Sequence, residues 1–235
     1  MRQKIILPII VLLLSAVLPS YQADNYISVF DDRFWYSLNY ALLDDSALNA
    51  DAFACAFLGL KFLSQSFPLE KPHLLTIIDY SLPSTKERLF VIDLNMNQII
   101  YKSLVAHGQN SGELVATKFS NTVHSHQSSL GFFVTGNTYL GGQGYSMIMN
   151  GLDTGFNDHA VNRAIVMHGA DYVSERFIKN HGRIGRSYGC PAVPEHMNTG
   201  IINLIKEGSV IFCYYPDSNY IGTSTILNGD YRLIN

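Results

Sequence analysis

Apolar residues recur at three- and four-residue spacings from Ser46 to residue 65, with Phe53, Ala56, Phe57, Leu60 and Leu63 falling on one face. That period predicts an amphipathic helix. Pro68 and Pro72 interrupt it in a short linker over 67–73. Beyond the linker the texture changes to runs rich in Ile, Val, Leu, Phe and Tyr at 74–80, 88–94 and 99–106, which read as strands. Asn95, Met96 and Asn97 suit a tight hairpin between the second and third, since Asn tolerates the left-handed conformation. Further strands are expected at 131–135, 146–150, 164–167 and 209–215. Short helices are expected at 173–180 and 194–206, the latter opening on Pro194, where a missing N–H costs nothing. This order predicts an α+β fold: a mixed, mainly antiparallel β-sheet or sandwich with a few short helices and an N-terminal helical segment.

The first stretch has another pattern. Arg2 and Lys4 precede an apolar run over 5–18, and small and polar residues follow around Ser20 and Ala23, the layout of a secretory signal peptide. The apolar run is short of the ~20 residues a membrane span needs. Cleavage after Ala23 is therefore the expectation, with an uncleaved anchor as the alternative because Tyr21 is bulky at the −3 position. The chain then divides into a signal peptide (1–23), an N-terminal helical segment (24–72), a main domain (73–216) and a C-terminal tail (217–235), and the expected location is the periplasm or cell envelope. Cleavage removes two of 16 cations and none of 19 anions, taking the formal charge from −3 to −5. Nothing basic invites nucleic acid, and no later segment is apolar enough for a membrane partner.

Three cysteines is an odd number for an exported chain, so at least one thiol stays unpaired within it. Cys55 and Cys213 either pair or are buried as small hydrophobes; Cys190 is then free. Around it lies the informative region, 164–193. An apolar strand ends at Met167, His168 and Gly169 follow, and Cys190 comes twenty-two positions after the histidine in the run Gly185-Arg186-Ser187-Tyr188-Gly189-Cys190-Pro191. A thiol attacks well only as thiolate, so it needs an imidazole or cation nearby. His168, Arg183 and Arg186 are the candidates, and Gly189 lets the backbone turn so that successive amides face an oxyanion.

The strings 167–174 and 185–192 resemble the L,D-transpeptidase catalytic (YkuD-like) family, and in particular its divergent murein L,D-transpeptidase branch. Upstream, Ile78-Asp79-Tyr80, Val91-Ile92-Asp93-Leu94, Ser129-Leu130-Gly131-Phe132 and the Gly151, Leu152, Asp153, Gly155, Asn157, Asp158 pattern resemble it too, so the likeness covers roughly 50–216. The resemblance implies Cys190 as nucleophile, His168 as base, the Gly169 carbonyl as the group that orients the imidazole, and the amides of Tyr188, Gly189 and Cys190 as oxyanion hole. A carbonyl in place of a carboxylate suffices to fix a tautomer. Departures are Tyr188 where the commoner pattern has His, Pro191 and Ala192 after the cysteine, and a longer gap between His168 and Cys190. The extra residues, 178–185, are expected as a loop at the cleft. Arg183 and Arg186 are candidates to hold a stem-peptide carboxylate, with a solvated loop as the plainer reading. Ser187 is a further substrate contact or a support for the loop through backbone bonds.

His124 and His126, with His159, His168 and Cys190, could be drawn together around zinc, but no metal-ligand spacing matches, so neither metal nor cofactor is expected. Glycines crowd 131–155, where turns, or else close approach of a substrate, would explain them, turns being the plainer reading. Tyr139 and Tyr145 flank Gly141 to Gly144 as either a cover over the cleft or ordinary strand-end aromatics. The expected activity is acyl transfer on peptidoglycan stem peptides. A hydrolase such as an L,D-carboxypeptidase using the same pair, and a non-catalytic wall-binding protein, are the alternatives.

Overall fold

The computed structural model describes residues 36–229; the expected signal peptide lies outside them. Residues 36–43 are helical, and α1 (Ala50–Ser66) follows. α1 begins later than its periodicity suggests because Asn49, not Ser46, caps it: the Asn49 side chain accepts from the Asp51 and Ala52 amides, two of the donors every helix start leaves without a partner. Its buried face is Ala52, Phe53, Ala56, Gly59, Leu60 and Leu63. At Gly59 an added Cβ would stand 1.9 Å from the Phe132 ring. The helix is therefore pressed directly on the sheet and shares its core.

Eight strands form one sheet: β1 (Leu74–Asp79), β2 (Leu89–Asp93), β3 (Gln98–Ser103), β4 (Gly131–Gly141), β5 (Gly144–Gly151), β6 (Val166–Ala170), β7 (Ala192–Pro194) and β8 (Val210–Tyr214). Their spatial order is β3-β2-β1-β8-β4-β5-β6-β7. The β1–β8 and β6–β7 pairs are parallel and the rest antiparallel, which is the mixed, mainly antiparallel arrangement expected. Helices α2 (Glu175–His181), α3 (Glu195–Ile205), α4 (Ser218–Thr223) and α5 (Thr225–Asn228) pack around it. β4 and β5 run beyond their expected ends, so Tyr139 and Tyr145 are strand residues, and Tyr145 is tied to α3 through Asn203 and Asn198. All three cysteines are free thiols, so Cys55 and Cys213 are not bridged.

The stretch expected as a tail is folded at least to residue 228. Tyr220 and Ser224, both buried, donate to Asp153 Oδ2 and Oδ1 at 3.1 and 2.6 Å. Asp153 Oδ2 also accepts from the Phe132 amide at 2.6 Å, while Asn157 Nδ2 donates to the carbonyls of Leu130 and Phe132. Two of the strings that carry the family resemblance thus meet in a clasp that ties α4 and α5 to β4. Gly131, at φ 102°, leaves room for the Asp153 carboxylate, which would stand 2.4 Å from an added Cβ.

The two edges of the sheet meet. After β3 the chain leaves its hairpin partner, and the Ala106 amide donates to the Ala192 carbonyl (2.8 Å), Ser187 to His107 (3.0 Å) and Gln109 to Ser187 (2.8 Å). This seam covers a small second core of Leu104, Ala106, Ala170, Val173, Ile184 and Ala192. It also places 187–192 on a rigid base, which positions the region singled out in the sequence.

Behind the seam lies Arg88, fully buried. Its guanidinium donates to the carbonyls of Leu82 and Val105 and, at 2.8 Å, to His107 Nδ1, and it covers the Tyr80 ring. A guanidinium only donates, so His107 Nδ1 is the acceptor and its Nε2–H donates to the Gly112 carbonyl (3.2 Å). Arg88→Ala would strand these acceptors and open a cavity. At ~1–3 kcal/mol for each buried group left unpaired, the expected loss in urea unfolding is about 4 kcal/mol. A loss under about 1 kcal/mol would show that water replaces the guanidinium without penalty.

His107 also makes stability depend on pH. Burial, followed by the Arg88 charge, lowers its pKa from 6.5 to about 4. Below pH 6.5 the unfolded chain takes up a proton that the folded chain refuses until about pH 4, so stability is fully present above 6.5 and falls as pH drops through that window. The ceiling is about 3 kcal/mol. Urea midpoints between pH 7.5 and 4.5 should decline accordingly, and His107→Gln should flatten the slope; an equal slope in the variant would assign the decline elsewhere.

Candidate active site

β6 carries His168 between β5 and β7, paired with Ser146 on one side and Ala192 on the other. Its ring is buried (3% exposed), and Nδ1 lies 2.9 Å from the Gly169 carbonyl. A carbonyl only accepts, so Nδ1 holds the proton and Nε2 keeps its lone pair, the form that takes up a proton. Burial lowers the imidazole pKa, partly opposed by the Gly169 bond, so the ring is neutral at pH 7. Gly169 also lets α3 approach: an added Cβ would stand 3.0 Å from the Asn198 Cβ.

The parallel register of β6 with β7 carries backward from Ala192 to put Cys190 level with Val166, and the Val166 amide indeed donates to Cys190 Sγ at 3.5 Å. The thiol in turn faces the Ala164 carbonyl at 3.6 Å. Val166 and His168 alternate onto the same face of β6, separated by about 6.6 Å of strand rise. Cys190 and His168 are therefore brought to neighbouring strand ends, although no hydrogen bond joins ring and sulfur in this conformation. Cys190 is half-buried, and burial raises its pKa against the opposing effects of the Val166 amide and the Arg163 charge. The resting pair is thiol and neutral imidazole. Burial likewise pushes Cys55 up to about 11 and Cys213 up to about 12.

The loop before Cys190 is held by Ser187, whose hydroxyl donates to the Cys190 carbonyl (2.6 Å) and accepts from the Gly189 amide (3.0 Å). Ser187 is buried and uses its side chain within the loop. The Gly189 amide is thus engaged, whereas among the described residues the Tyr188 and Cys190 amides have no acceptor within the chain. Gly189 has φ 119°, a conformation that favours glycine, and an added Cβ would meet the Gln127 carbonyl at 2.7 Å. Tyr188 is 70% exposed and its ring stacks on His126, centroids 4.4 Å apart.

Arg183 and Arg186 are both ion-paired to Glu113, at 2.9 and 2.7 Å. Arg186 also donates to the carbonyls of Gln109 and Gly112. With Gln109, Tyr172, Phe177 and Gly185 they line an open cavity of about 310 Å³. A substrate carboxylate would have to displace Glu113, which is the more exposed partner. The insertion expected as a loop over 178–185 is helical to His181, where Gly182 at φ 72° ends α2. His124 and His126 have positive φ and lie in a loop, so they do not alternate along a strand; His126 bonds Gln109 and His159 sits by Asp158. Among the described residues no three His, Cys, Asp or Glu side chains converge as metal ligands.

Sequence reasoning missed Arg163. Its Nη1 donates to the Ser120 carbonyl (2.6 Å) and to Ser129 Oγ, and Nη2 to Ser125 Oγ (3.2 Å) and the Gln127 carbonyl (2.5 Å). These partners lie 34–43 residues away and are mostly backbone or small hydroxyls, so no local motif announces them.

The seam, the glycine turn and the register of β6 with β7 bring Cys190 and His168 to one part of an α+β sheet, a candidate cysteine–histidine site. Residues 44–214 match the L,D-transpeptidase catalytic domain family, and the chain belongs to that family. Among solved structures it is similar to an L,D-transpeptidase from Mycobacterium smegmatis (12% identity, 61% of this chain and 59% of that one, TM-score 0.36). It is also similar to one from Stackebrandtia nassauensis (12% identity, 80% and 92%, TM-score 0.37) and to Bd1075 of Bdellovibrio bacteriovorus (15% identity, 69% and 55%, TM-score 0.37). The chain spans 50–59% of the length of several such structures. No curated protein matches it. No helix among the described residues is long and apolar enough to cross a membrane.

Proposed function

We propose that the chain is an exported cysteine acyltransferase of peptidoglycan, an L,D-transpeptidase that forms a thioester on Cys190. The observation that carries this reading is the placement of Cys190 Sγ on the Val166 amide, at the open end of the strand that bears His168 with its Nδ1 on the Gly169 carbonyl. Family membership supports the substrate class. In this scheme His168 Nε2 takes the thiol proton as Sγ attacks the carbonyl of the third, diamino-acid residue of a tetrapeptide stem. The oxyanion faces the Tyr188 and Cys190 amides, with Gly189 joining if its bond to Ser187 opens. The imidazolium gives its proton to the leaving amine of the terminal D-alanine, and the thioester passes to an acceptor amine, whose proton His168 takes up.

Because no hydrogen bond joins Sγ and the ring at rest, a small closure of the 187–190 loop on substrate binding belongs to the scheme. The apolar-patterned start of the chain supports export. Incubating the mature protein with tetrapeptide-rich wall and separating the muropeptides tests the reading. New cross-links are the expected result. Tripeptides without cross-links would make the enzyme an L,D-carboxypeptidase, and unchanged wall would favour a binding protein.

A further inference from the structure

Arg163 is half-buried, and among the described residues no carboxylate lies within ion-pair distance of it. A guanidinium withdrawn from water without an anion is costly unless something supplies the charge it lacks. The four bonds described above engage both terminal nitrogens but bring no compensating charge. They also fix its position, because Ser120, Ser125, Gln127 and Ser129 grip both terminal nitrogens. Nη2 stands 3.3 Å from where a Cβ on Gly189 would be, beside the peptide that leads into Cys190. The same arginine holds the Gln127 carbonyl against Gly189, so one side chain braces the 120–129 loop on the nucleophile turn.

Resting on the reading of Cys190 as nucleophile, we propose that Arg163 is a positioning residue whose missing counter-ion is the Cys190 thiolate, so that charge forms on sulfur beside a cation already fixed in place. Other groups facing this thiol are uncharged near neutral pH. Burial lowers the His168 imidazole pKa from β6, raises the Tyr172 phenol to about 12 from the turn after β6, and raises the Tyr80 phenol from the end of β1. Burial raises the Cys190 thiol and lowers the Arg163 guanidinium, and the charge of each opposes that shift in the other. Arg183 and Arg186, the cations first suspected, are committed to Glu113.

The test uses two alkylating reagents of similar size, neutral iodoacetamide and anionic iodoacetate, with modification at Cys190 followed by peptide mapping on the full chain. A fixed cation at the thiolate favours the anion. The iodoacetate-to-iodoacetamide rate ratio should therefore be higher in the folded protein than in the same chain in urea. Arg163→Gln should lower that ratio roughly threefold to tenfold and move the alkylation midpoint to higher pH, while Arg163→Lys should keep most of the ratio. A merely structural role would slow both reagents alike. An unchanged ratio and midpoint in folded Arg163→Gln would overturn the proposal. If that variant does not fold, a wild-type ratio no higher than in urea overturns it instead. Since alkylation needs no wall substrate, failure to cross-link peptidoglycan would sink the functional reading without touching this result.

Discussion

Cys190→Ala is expected to bring turnover of a tetrapeptide stem to background while leaving the fold nearly as stable as before. In the proposed mechanism no other thiol can take its place, since the other two are on α1 and β8 and both are driven up in pKa by burial. The cost to folding is small because Sγ makes only long contacts, to the Val166 amide and the Ala164 carbonyl, and the site is half-buried. A change within about 1 kcal/mol in urea unfolding is the expectation. Cys213→Ala should behave in the opposite way, sparing chemistry and acting through the core in which Cys213 is 2% exposed. Product formed by the Cys190 variant at the wild-type rate would remove the thioester from the mechanism.

His168→Gln is the second large effect. A positioned general base contributes about two to four orders of magnitude, and that loss in kcat/KM is the expected outcome. Gln keeps a polar group near the Gly169 carbonyl and keeps the side chain's bulk between β5 and β7, so thermal unfolding should change little. Its amide cannot accept the thiol proton. The signature is therefore a rate loss with the acid limb of the pH profile flattened, because the titrating imidazole is gone. A variant within threefold of wild type would assign the base to another group.

The strands and helices were legible wherever local pattern decides them. β1, β2 and β8 are largely apolar runs because both faces are buried, and Pro194 marks the start of α3 by its own chemistry, whereas periodicity pointed to Ser46 and passed over the Asn49 cap of α1. What escaped was non-local. β7 has three residues, and the seam of 106–109 with 187–192 is made by backbone bonds that carry no side-chain signal. The same holds for Arg88 and Arg163, whose partners are carbonyls and small hydroxyls distant in sequence. Cys190 and His168 stood out as reactive side chains and Gly189 as a turn glycine, while Gly169, a strand residue, was named only through the family resemblance. Arg183 and Arg186 were visible as cations, but their engagement by Glu113, some seventy residues upstream, was not. Asp153 and Asn157 stood out within a family-like string, and the fold shows them serving as a clasp.

Intact-mass measurement of the purified protein during reaction with a tetrapeptide stem, followed by peptide mapping, tests the central claim most directly. The account predicts a transient adduct of the tripeptide acyl group, with loss of D-alanine, carried by Cys190 and cleaved by hydroxylamine as a thioester is. It should be absent from Cys190→Ala and accumulate slowly in His168→Gln. An adduct on another residue, or steady product formation with no adduct in a Cys190→Ala variant that still turns over, would contradict it.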